Sequence, residues 1–397
     1  MKPASALHQY IIVTLSYWAF TLTDGALRML VLLFFYGLGY SPLELASLFL
    51  LYEFFGIVTN LYGGWLATRI GLNKTLQIGL GLQVVALAML TVDASMLSLI
   101  YVMAAQALSG IAKDLNKMSA KSSIKLLVAN DQQKKLYRWI AALTGSKNTL
   151  KGLGFFLGGT LITLFGFRGG LIFMILLLAL TLLFTWGRLE SSTNHYKPKF
   201  TEILSKSNSI NLLSGARFFL FGSRDIWFVI ALPVFLQTQL SWTHLQVGGF
   251  MASWVIAYGI VQALTPNITG SRNHSLSGLA PWLWATGLAL IPASIALSLS
   301  MGVSPTLSLV IGLMIYGAVF AINSSIHSYL IIAYAESDSV STDVGFYYMA
   351  NAAGRLAGTL LSGIVYQQYG LVYCLVVSSL MVALSAIIAS RLPRAIS

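Results

Sequence analysis

Apolar stretches of helix-spanning length alternate along this chain with short polar connections. A bilayer core is about 30 Å thick, and roughly 20 apolar residues in a helix cross it. The pattern therefore predicts an all-α protein with twelve transmembrane helices. We place them near residues 10–36, 43–68, 75–92, 97–121, 137–165, 168–187, 210–237, 245–268, 279–299, 305–333, 344–368 and 371–390.

The longest polar connection divides these helices six and six. We predict an N-terminal six-helix bundle over 1–187, a cytoplasmic linker over 188–209 and a C-terminal six-helix bundle over 210–397. Lysine and arginine gather in the loops of one face, with only Arg168 opposite. Because cationic loops resist translocation, we expect both termini to be cytoplasmic and the protein to lie in the inner (plasma) membrane.

Composition supports the membrane class. Hydrophobic residues make up 57% of the 397 positions and charged residues only 9%, which leaves too little polar surface for a soluble fold. The net charge of +12 comes from the cytoplasmic loops and from cations inside the predicted helices, so nucleic-acid binding is an unnecessary interpretation. The single cysteine, Cys374, has no partner for an intramolecular disulfide or a thiolate metal site. We expect no metal and no cofactor.

The two halves resemble each other at matching places, which is typical of parallel repeats about an axis along the membrane normal. Acids, glycines and cations recur in the same order in corresponding helices. The matched pairs are Asp24 with Asp225, Gly56 with Gly259, Gly110 with Gly317, Asn116 with Asn323, Lys151 with Arg355, Gly154 with Gly358 and Gly159 with Gly363. Several matches in register favour a duplicated fold.

Lys147 and Lys151 lie four residues apart in an otherwise apolar helix, LTGSKNTLKGLGFFLGGTLITLF. A charged side chain at a helix centre in a bilayer costs about 2.5–3.5 kcal/mol, so such a pair indicates a polar cavity that uses the charge. Their spacing puts both on one helix face. Arg355 occupies the repeat-related position, so we predict three cations facing a central anion site.

Further cations occur at similar depth. Arg28 and Arg224 suit bidentate capture of phosphate or arsenate oxygens. Lys117 can recruit an anion or extend to the interface, and Asn116 and Asn323 offer neutral hydrogen bonds or pack between helices. Eight cations stand against four acids: Arg28, Lys113, Lys117, Lys147, Lys151, Arg217, Arg224 and Arg355 against Asp24, Glu53, Asp114 and Asp225. The surplus is four, or three if Arg217 extends to the interface, and it favours a multiply charged anion.

The acids suggest coupling. Glu53 has no local partner, and an unpaired carboxyl in an apolar medium holds a proton more readily, so it is the first candidate for proton coupling. Asp24 is the second, although its spacing from Arg28 predicts an intrahelical pair. Arg224 and Asp225 point about 100° apart on a helix, so we expect one to face the cavity and the other a neighbouring helix.

The connection GWLATRIGLNK resembles the signature loop of the major facilitator superfamily. Thr68 stands where that family usually has an acid, and the string GFFLGG is similar to its antiporter glycine motif with Phe155 in place of a proline. The resemblance implies two bundles that alternate access, and a gating loop. The matching positions are Gly64, Leu66, Ala67, Arg69 and Gly71.

The strings YWAFTLTDGALRML, SGIAKDLNKMSAKSSIKLL and LTGSKNTLKGLGFFLGG resemble those of ArsJ-type organoarsenical efflux permeases within that superfamily. That resemblance implies export of 1-arseno-3-phosphoglycerate, and hence arsenate resistance. It also implies a functional link to glyceraldehyde-3-phosphate dehydrogenase, which makes this compound when it accepts arsenate instead of phosphate.

Two other transport functions stay open: an organophosphate/phosphate antiporter, and a proton-coupled drug exporter, against which the eight cations count. An enzyme is not expected, because the sequence has no HExxH, no paired His/Cys ligands and no phosphate-cradling loop that ends in Gly-Lys-Ser/Thr.

Overall fold

The structure, a computed structural model, describes residues 6–125, 133–189, 207–269, 278–334 and 340–394. Within these ranges the long elements are all helices and there is no strand, which confirms the all-α prediction. The helices are α1 Ala6–Gly37, α2 Pro42–Leu48, α3 Leu50–Ile70, α4 Leu72–Met89, α5 Leu99–Lys125, α6 Gln133–Trp186, α7 Asn208–Phe228, α8 Ala231–Thr238, α9 His244–Ile268, α10 Leu279–Ser300, α11 Pro305–Tyr334, α12 Val340–Tyr369 and α13 Leu371–Ala389.

Three breaks relate these helices to twelve membrane crossings. The helices α2 and α3 form one crossing interrupted at Phe49, and α7 and α8 form another interrupted after Phe228. The 54-residue α6 bends at Gly166, whose φ of 67° is a left-handed conformation that glycine adopts without strain. Each leg of α6 is long enough to cross a bilayer, so the structure agrees with the predicted twelve spans.

Eight helical segments of the described chain are long and apolar enough to cross a membrane by themselves. The helices α4, α5 and α12 are not among them, since they carry more polar side chains. The eight segments are His8–Gly37, Pro42–Gly63, Gly145–Trp186, Asn208–Thr238, His244–Ile268, Leu279–Ser300, Pro305–Ile331 and Leu371–Ala389. Large apolar side chains such as Leu164, Leu183 and Leu290 are exposed on the outside of the bundle, as expected for a lipid-facing surface.

Helix contacts in the first half recur in the second. The first leg of α6 packs along α1 and along α9, and α12 packs in the same manner along α7 and along α2 and α3. Likewise, α5 packs on α3 and α4, as α11 packs on α9 and α10. The protein therefore consists of two pseudo-symmetric six-helix bundles, as the sequence repeats predicted.

The two bundles pack closely where α12 meets α2 and where α6 meets α9. A Cβ at Gly363 would lie 2.6 Å from the Cβ of Ala46, and a Cβ at Gly159 would lie 2.9 Å from the carbonyl oxygen of His244. Only glycine permits backbones to pack so closely. These two glycines are a matched pair of the sequence repeat. Gly159 permits close packing where α6 meets α9, and Gly363 permits it where α12 meets α2.

Candidate functional site

A continuous chain of ion pairs crosses the centre of the molecule. Arg28 of α1 donates to Glu53 of α3 over 2.6 Å, and Arg355 of α12 donates to the same carboxylate oxygen over 2.5 Å. Arg355 also donates to Asp225 of α7 over 3.1 Å, and the Nε of Arg224 donates to the other Asp225 oxygen over 2.6 Å. We call these five residues the ion chain.

The ion chain joins the two bundles and carries surplus positive charge. Glu53 and Asp225 are fully buried, Arg28 is 9% exposed, and Arg224 and Arg355 are half-buried. Buried charges are tolerated when they are paired and hydrogen-bonded, which each of these is. Three arginines against two carboxylates leave one net positive charge within the chain. The Glu53–Arg355 pair makes the connection between the bundles.

Glu53 has no partner nearby on its own helix, as expected from the sequence, but it is paired across helices with Arg28 and Arg355. Its partners lie 25 and 302 residues away in sequence, on helices other than its own. A carboxylate shared by two guanidiniums from different bundles is a contact between distant parts of the chain, which helical spacing does not reveal. Its role in proton coupling stays a prediction.

The predicted pairing of Asp24 with Arg28 is wrong. Asp24 instead accepts a hydrogen bond from the Tyr52 hydroxyl over 2.6 Å. The Arg28 guanidinium lies 5.1 Å from the ring of Phe49 and 5.0 Å from that of Tyr52 as it extends to α3. The buried carboxylate of Glu53 and two aromatic faces give Arg28 a better site than a neighbour on its own helix.

Arg224 and Asp225 do not face separate surroundings, contrary to the expectation from their adjacent positions. They pair with each other, and Asp225 serves Arg355 at the same time. The 100° between neighbouring Cα–Cβ directions separates short side chains, but arginine is long enough to fold back across that angle.

Lys151 lies beside the ion chain without joining it. Its Nζ is 5.8 Å from the centre of the Phe155 ring, and no carboxylate of the described residues pairs with it. Arg28, Arg224 and Arg355 lie within its electrostatic range. Lys147, one turn earlier, is half-buried. The structure thus brings Lys151 and Arg355 into one cationic region, while their contact with a substrate stays a prediction.

A second polar cluster lies on α5. Lys117 donates to Asp114 and to Asn60, each over 2.5 Å. Lys113 lies 4.0 Å from the centre of the Tyr52 ring and 3.7 Å from Asp114. Because the Tyr52 ring also lies 5.0 Å from the Arg28 guanidinium, this cluster is adjacent to the ion chain, and its lysines are half-buried.

The two predicted asparagines differ in their surroundings. Asn116 donates to the Ala112 carbonyl over 2.8 Å and contacts Gly79 of α4, so it belongs to the α4–α5 packing contact. Asn323 is fully buried, and its side chain has no hydrogen-bond partner among the described residues. The structure gives neither a contact with the ion chain.

The predicted gating loop is largely helical. The helix α3 continues to Ile70, and Gly71, with a φ of 89°, separates it from α4. The side chain of Arg69 and the surroundings of Gly64 lie outside what the structure describes. A gating role for Gly64, Arg69 and Gly71 therefore stays a prediction.

The sequence left two interpretations of Arg217: one of the eight cations at membrane depth, or a side chain that extends to the interface. The first agrees with the structure, in which Arg217 is 4% exposed and is held by Asn351 and Ser324. One signal was available: Arg217 precedes Arg224 by seven residues, which is two helical turns and hence the same face.

No group of three or more His, Cys, Asp or Glu side chains that could hold a metal ion occurs within the described ranges.

Comparisons with known proteins identify the architecture. The model of the Major Facilitator Superfamily matches residues 11–342. Among solved structures, the chain is similar to the crystal structure of the human organic anion transporter MFSD10 (TETRAN), with a TM-score of 0.70 and 17% sequence identity over 97% of this chain and 100% of that chain. At that identity the likeness shows a shared fold. A search of curated proteins gave no match. Since the family model covers most of its length, the chain belongs to the major facilitator superfamily.

Proposed function

We propose that this superfamily member is a secondary active transporter that exports an organic anion with phosphate or arsenate groups. The observation that carries the proposal is the ion chain, in which three arginines from both bundles share only two carboxylates. Lys151 adds a further cation without a carboxylate partner among the described residues. An anionic substrate would compensate this surplus, whereas a lipophilic cation would increase it.

The same contacts suggest how binding is linked to movement. The Glu53–Arg355 pair crosses from one bundle to the other, so it must break when the bundles separate around it. An anion that binds Arg28 or Arg355 competes with Glu53 for their donors. Substrate would thus replace an internal carboxylate and release the bundles for alternating access.

Protonation of Glu53 would have a similar effect. A neutral carboxyl no longer neutralises two guanidiniums, so Arg28 and Arg355 would become available to an anion. We therefore propose Glu53 as the coupling residue, with Asp24 and Asp225 as further candidates. This would couple uptake of one proton to exposure of the anion site.

The specific substrate that we propose is 1-arseno-3-phosphoglycerate. Support comes from the sequence resemblance to ArsJ-type permeases and from the surplus of charge, which suits an anion charged at both ends. The similar human structure is described as an organic anion transporter, and this agrees with the substrate class. With this substrate, the protein would lie in the inner membrane, work alongside glyceraldehyde-3-phosphate dehydrogenase and confer arsenate resistance.

We further propose that residues 1–187 and 210–397 move as two units joined by the linker 188–209. Both termini and the linker would then be cytoplasmic. The Gly64–Gly71 segment would act as a gate on that side, with Arg69 as its charged member.

The transport proposal is tested with everted membrane vesicles. We expect uptake of labelled 1-arseno-3-phosphoglycerate, stronger than that of 3-phosphoglycerate and free arsenate, and greater with a proton gradient than without one. Vesicles without the protein are the control. Uptake of none of the three anions would reject the proposal. Uptake of 3-phosphoglycerate only against internal phosphate would instead identify an organophosphate/phosphate antiporter.

A further inference from the structure

A buried arginine of α7 lies near the ion chain, and no acid of the described residues balances it. Arg217 of α7 is 4% exposed, and no salt bridge of the described residues includes it. The arginines of the ion chain each bind a carboxylate. A buried cation without a counter-ion costs several kcal/mol, so its retention indicates a use for the charge.

Neutral groups hold the Arg217 guanidinium in place. Its Nε donates to the Asn351 side chain over 2.9 Å, and its Nη1 donates to the Ser324 carbonyl and hydroxyl over 3.0 and 3.1 Å. The remaining terminal nitrogen, Nη2, has no acceptor among the described residues. The planar guanidinium of Arg217 is therefore oriented by α11 and α12, and its Nη2 is available to donate to a ligand.

Arg217 is close to the ion chain through one aromatic ring. Its guanidinium carbon lies 4.0 Å from the centre of the Phe221 ring, and that of Arg224 lies 4.9 Å from the same centre. The two guanidinium carbons are thus at most 8.9 Å apart, the sum of these two distances. Two oriented guanidiniums within this distance can both be reached by one anion that is charged at both ends.

A series of hydrogen bonds connects the surroundings of Arg217 to α6 of the N-terminal bundle. The Tyr258 hydroxyl donates to the Ser324 hydroxyl over 3.2 Å, and Gln262 donates to Tyr258 over 3.0 Å. Gln262 in turn accepts from Asn148 over 2.6 Å. Asn148 lies between Lys147 and Lys151 on α6, so Arg217 is part of the region between the bundles.

We infer that Arg217 forms a second anion subsite, which binds one end of a two-ended anion while the ion chain and Lys151 bind the other. The inference rests on the proposed function, since it deepens the substrate class. A three-carbon chain with an anionic group at each end spans about 6–7 Å at roughly 1.5 Å per bond. That span is shorter than the upper limit of 8.9 Å on the distance between the two guanidinium carbons. The anion would lie alongside the two guanidiniums, because the Phe221 ring occupies the space between them.

The test compares two probes on the purified, full-length protein by calorimetry: 3-phosphoglycerate, which has two anionic ends, and inorganic phosphate, which has one. We expect wild-type protein to bind 3-phosphoglycerate at least 10-fold more tightly than phosphate. Arg217→Gln should lose this preference while its phosphate affinity stays within twofold of wild type. Arg217→Lys keeps the charge and should keep a measurable preference.

Arg168→Gln is the matched control, because Arg168 is an exposed arginine that pairs, within the described part of the chain, with exposed Asp93 alone. It should leave both affinities unchanged. An equal loss of affinity for both probes in Arg217→Gln would assign Arg217 a general structural role and overturn the subsite. Unchanged affinities, or a wild-type protein without a preference, would overturn it too.

A second measurement needs no variant. Phosphonoacetate has anionic ends closer together than 3-phosphoglycerate, so on wild-type protein it should bind no more tightly than phosphate. If phosphonoacetate and 3-phosphoglycerate both bound more tightly than phosphate by the same factor, the inference would be overturned. The outcome can be distinguished from that of the transport proposal. If the preference for 3-phosphoglycerate depends on Arg217 but vesicles do not take up the arsenical, the subsite stands and the arsenical substrate is rejected.

Discussion

Individual charges at the centre of this protein differ in how they are compensated. Glu53 and Asp225 each accept from two arginines, so removal of one arginine or one acid leaves charged partners behind. Lys151 has a ring contact but no carboxylate partner within the described chain. The first kind of residue supports the fold as well as the site, and the second kind is free to serve a ligand.

This difference predicts opposite effects of two charge-removing substitutions. Arg355→Met should lower the free energy of unfolding by about 3–5 kcal/mol, because it leaves two buried carboxylates short of a partner. Lys151→Met removes a cation that no acid depends on, so it should leave stability unchanged or higher. It should also weaken anion binding, by about 10-fold for one charge-assisted contact.

Thermal unfolding in detergent measures the stability of both variants, and calorimetry with 3-phosphoglycerate measures the affinity of Lys151→Met. Unchanged affinity in a stable Lys151→Met protein would remove that lysine from the binding site. Equal stability of the two variants would mean that the ion chain does not hold the bundles together.

At the scale of elements, the site depends on close helix packing. The helix α12 carries Arg355 to both Glu53 and Asp225 because it packs along α3 and α7 at once. Such contact requires small residues, and Gly363 supplies one where α12 meets α2. The position of Arg355 is therefore set by glycines elsewhere on the same helix.

Gly363→Ala should disturb this packing. Its Cβ would lie 2.6 Å from that of Ala46 and 2.8 Å from the Pro42 carbonyl oxygen, so the helices must move apart. We expect a loss of about 1–3 kcal/mol in unfolding free energy, as is usual for overpacking. The matched control is Gly287→Ala on α10, where no atom lies within 4 Å of an added Cβ. Thermal unfolding of both variants checks this, and equal midpoints would contradict the packing role.

At the scale of the whole molecule, the two bundles meet along two equivalent interfaces. The first leg of α6 packs on α9, and α12 packs on α2 and α3, so each bundle contributes to both. Polar contacts cross at each: Asn148 with Gln262 at the first and Glu53 with Arg355 at the second. Alternating access by rocking of the two bundles requires the helices at these interfaces to move against each other.

A disulfide across the first interface should therefore stop transport. A Cβ at Gly259 would lie 3.2 Å from that of Asn148, close to disulfide geometry, so Asn148→Cys with Gly259→Cys should cross-link. We expect vesicle uptake to fall at least 10-fold on oxidation and to recover on reduction. The cysteine pairs are introduced into a protein that carries Cys374→Ser.

The control cross-link lies within one bundle. A Cβ at Gly312 of α11 would lie 3.7 Å from that of Ile295 of α10, so Gly312→Cys with Ile295→Cys also suits a disulfide. Uptake should persist when this pair is oxidised. Uptake that continues with the first pair fully oxidised would reject movement of the bundles as rigid units.

The sequence by itself determined the membrane class, the number of spans, the repeat and the presence of a cationic centre. Each of these depends on local hydropathy or on residue identity, which a linear pattern contains. The matched glycines Gly159 and Gly363 could also be read from the repeat, because backbone contact restricts both positions to the smallest residue.

Only the tertiary structure decided which charges pair. The acceptor of Arg28 is Glu53 rather than Asp24, and one of the two acceptors of Arg355 lies 302 residues away, because helix packing brings those carboxylates within hydrogen-bonding distance. Arg217 is buried for the same reason: α11 and α12 cover it. Helical periodicity gives the face of a side chain but not the neighbour of that face, and in an apolar medium the neighbour determines whether a charge is compensated.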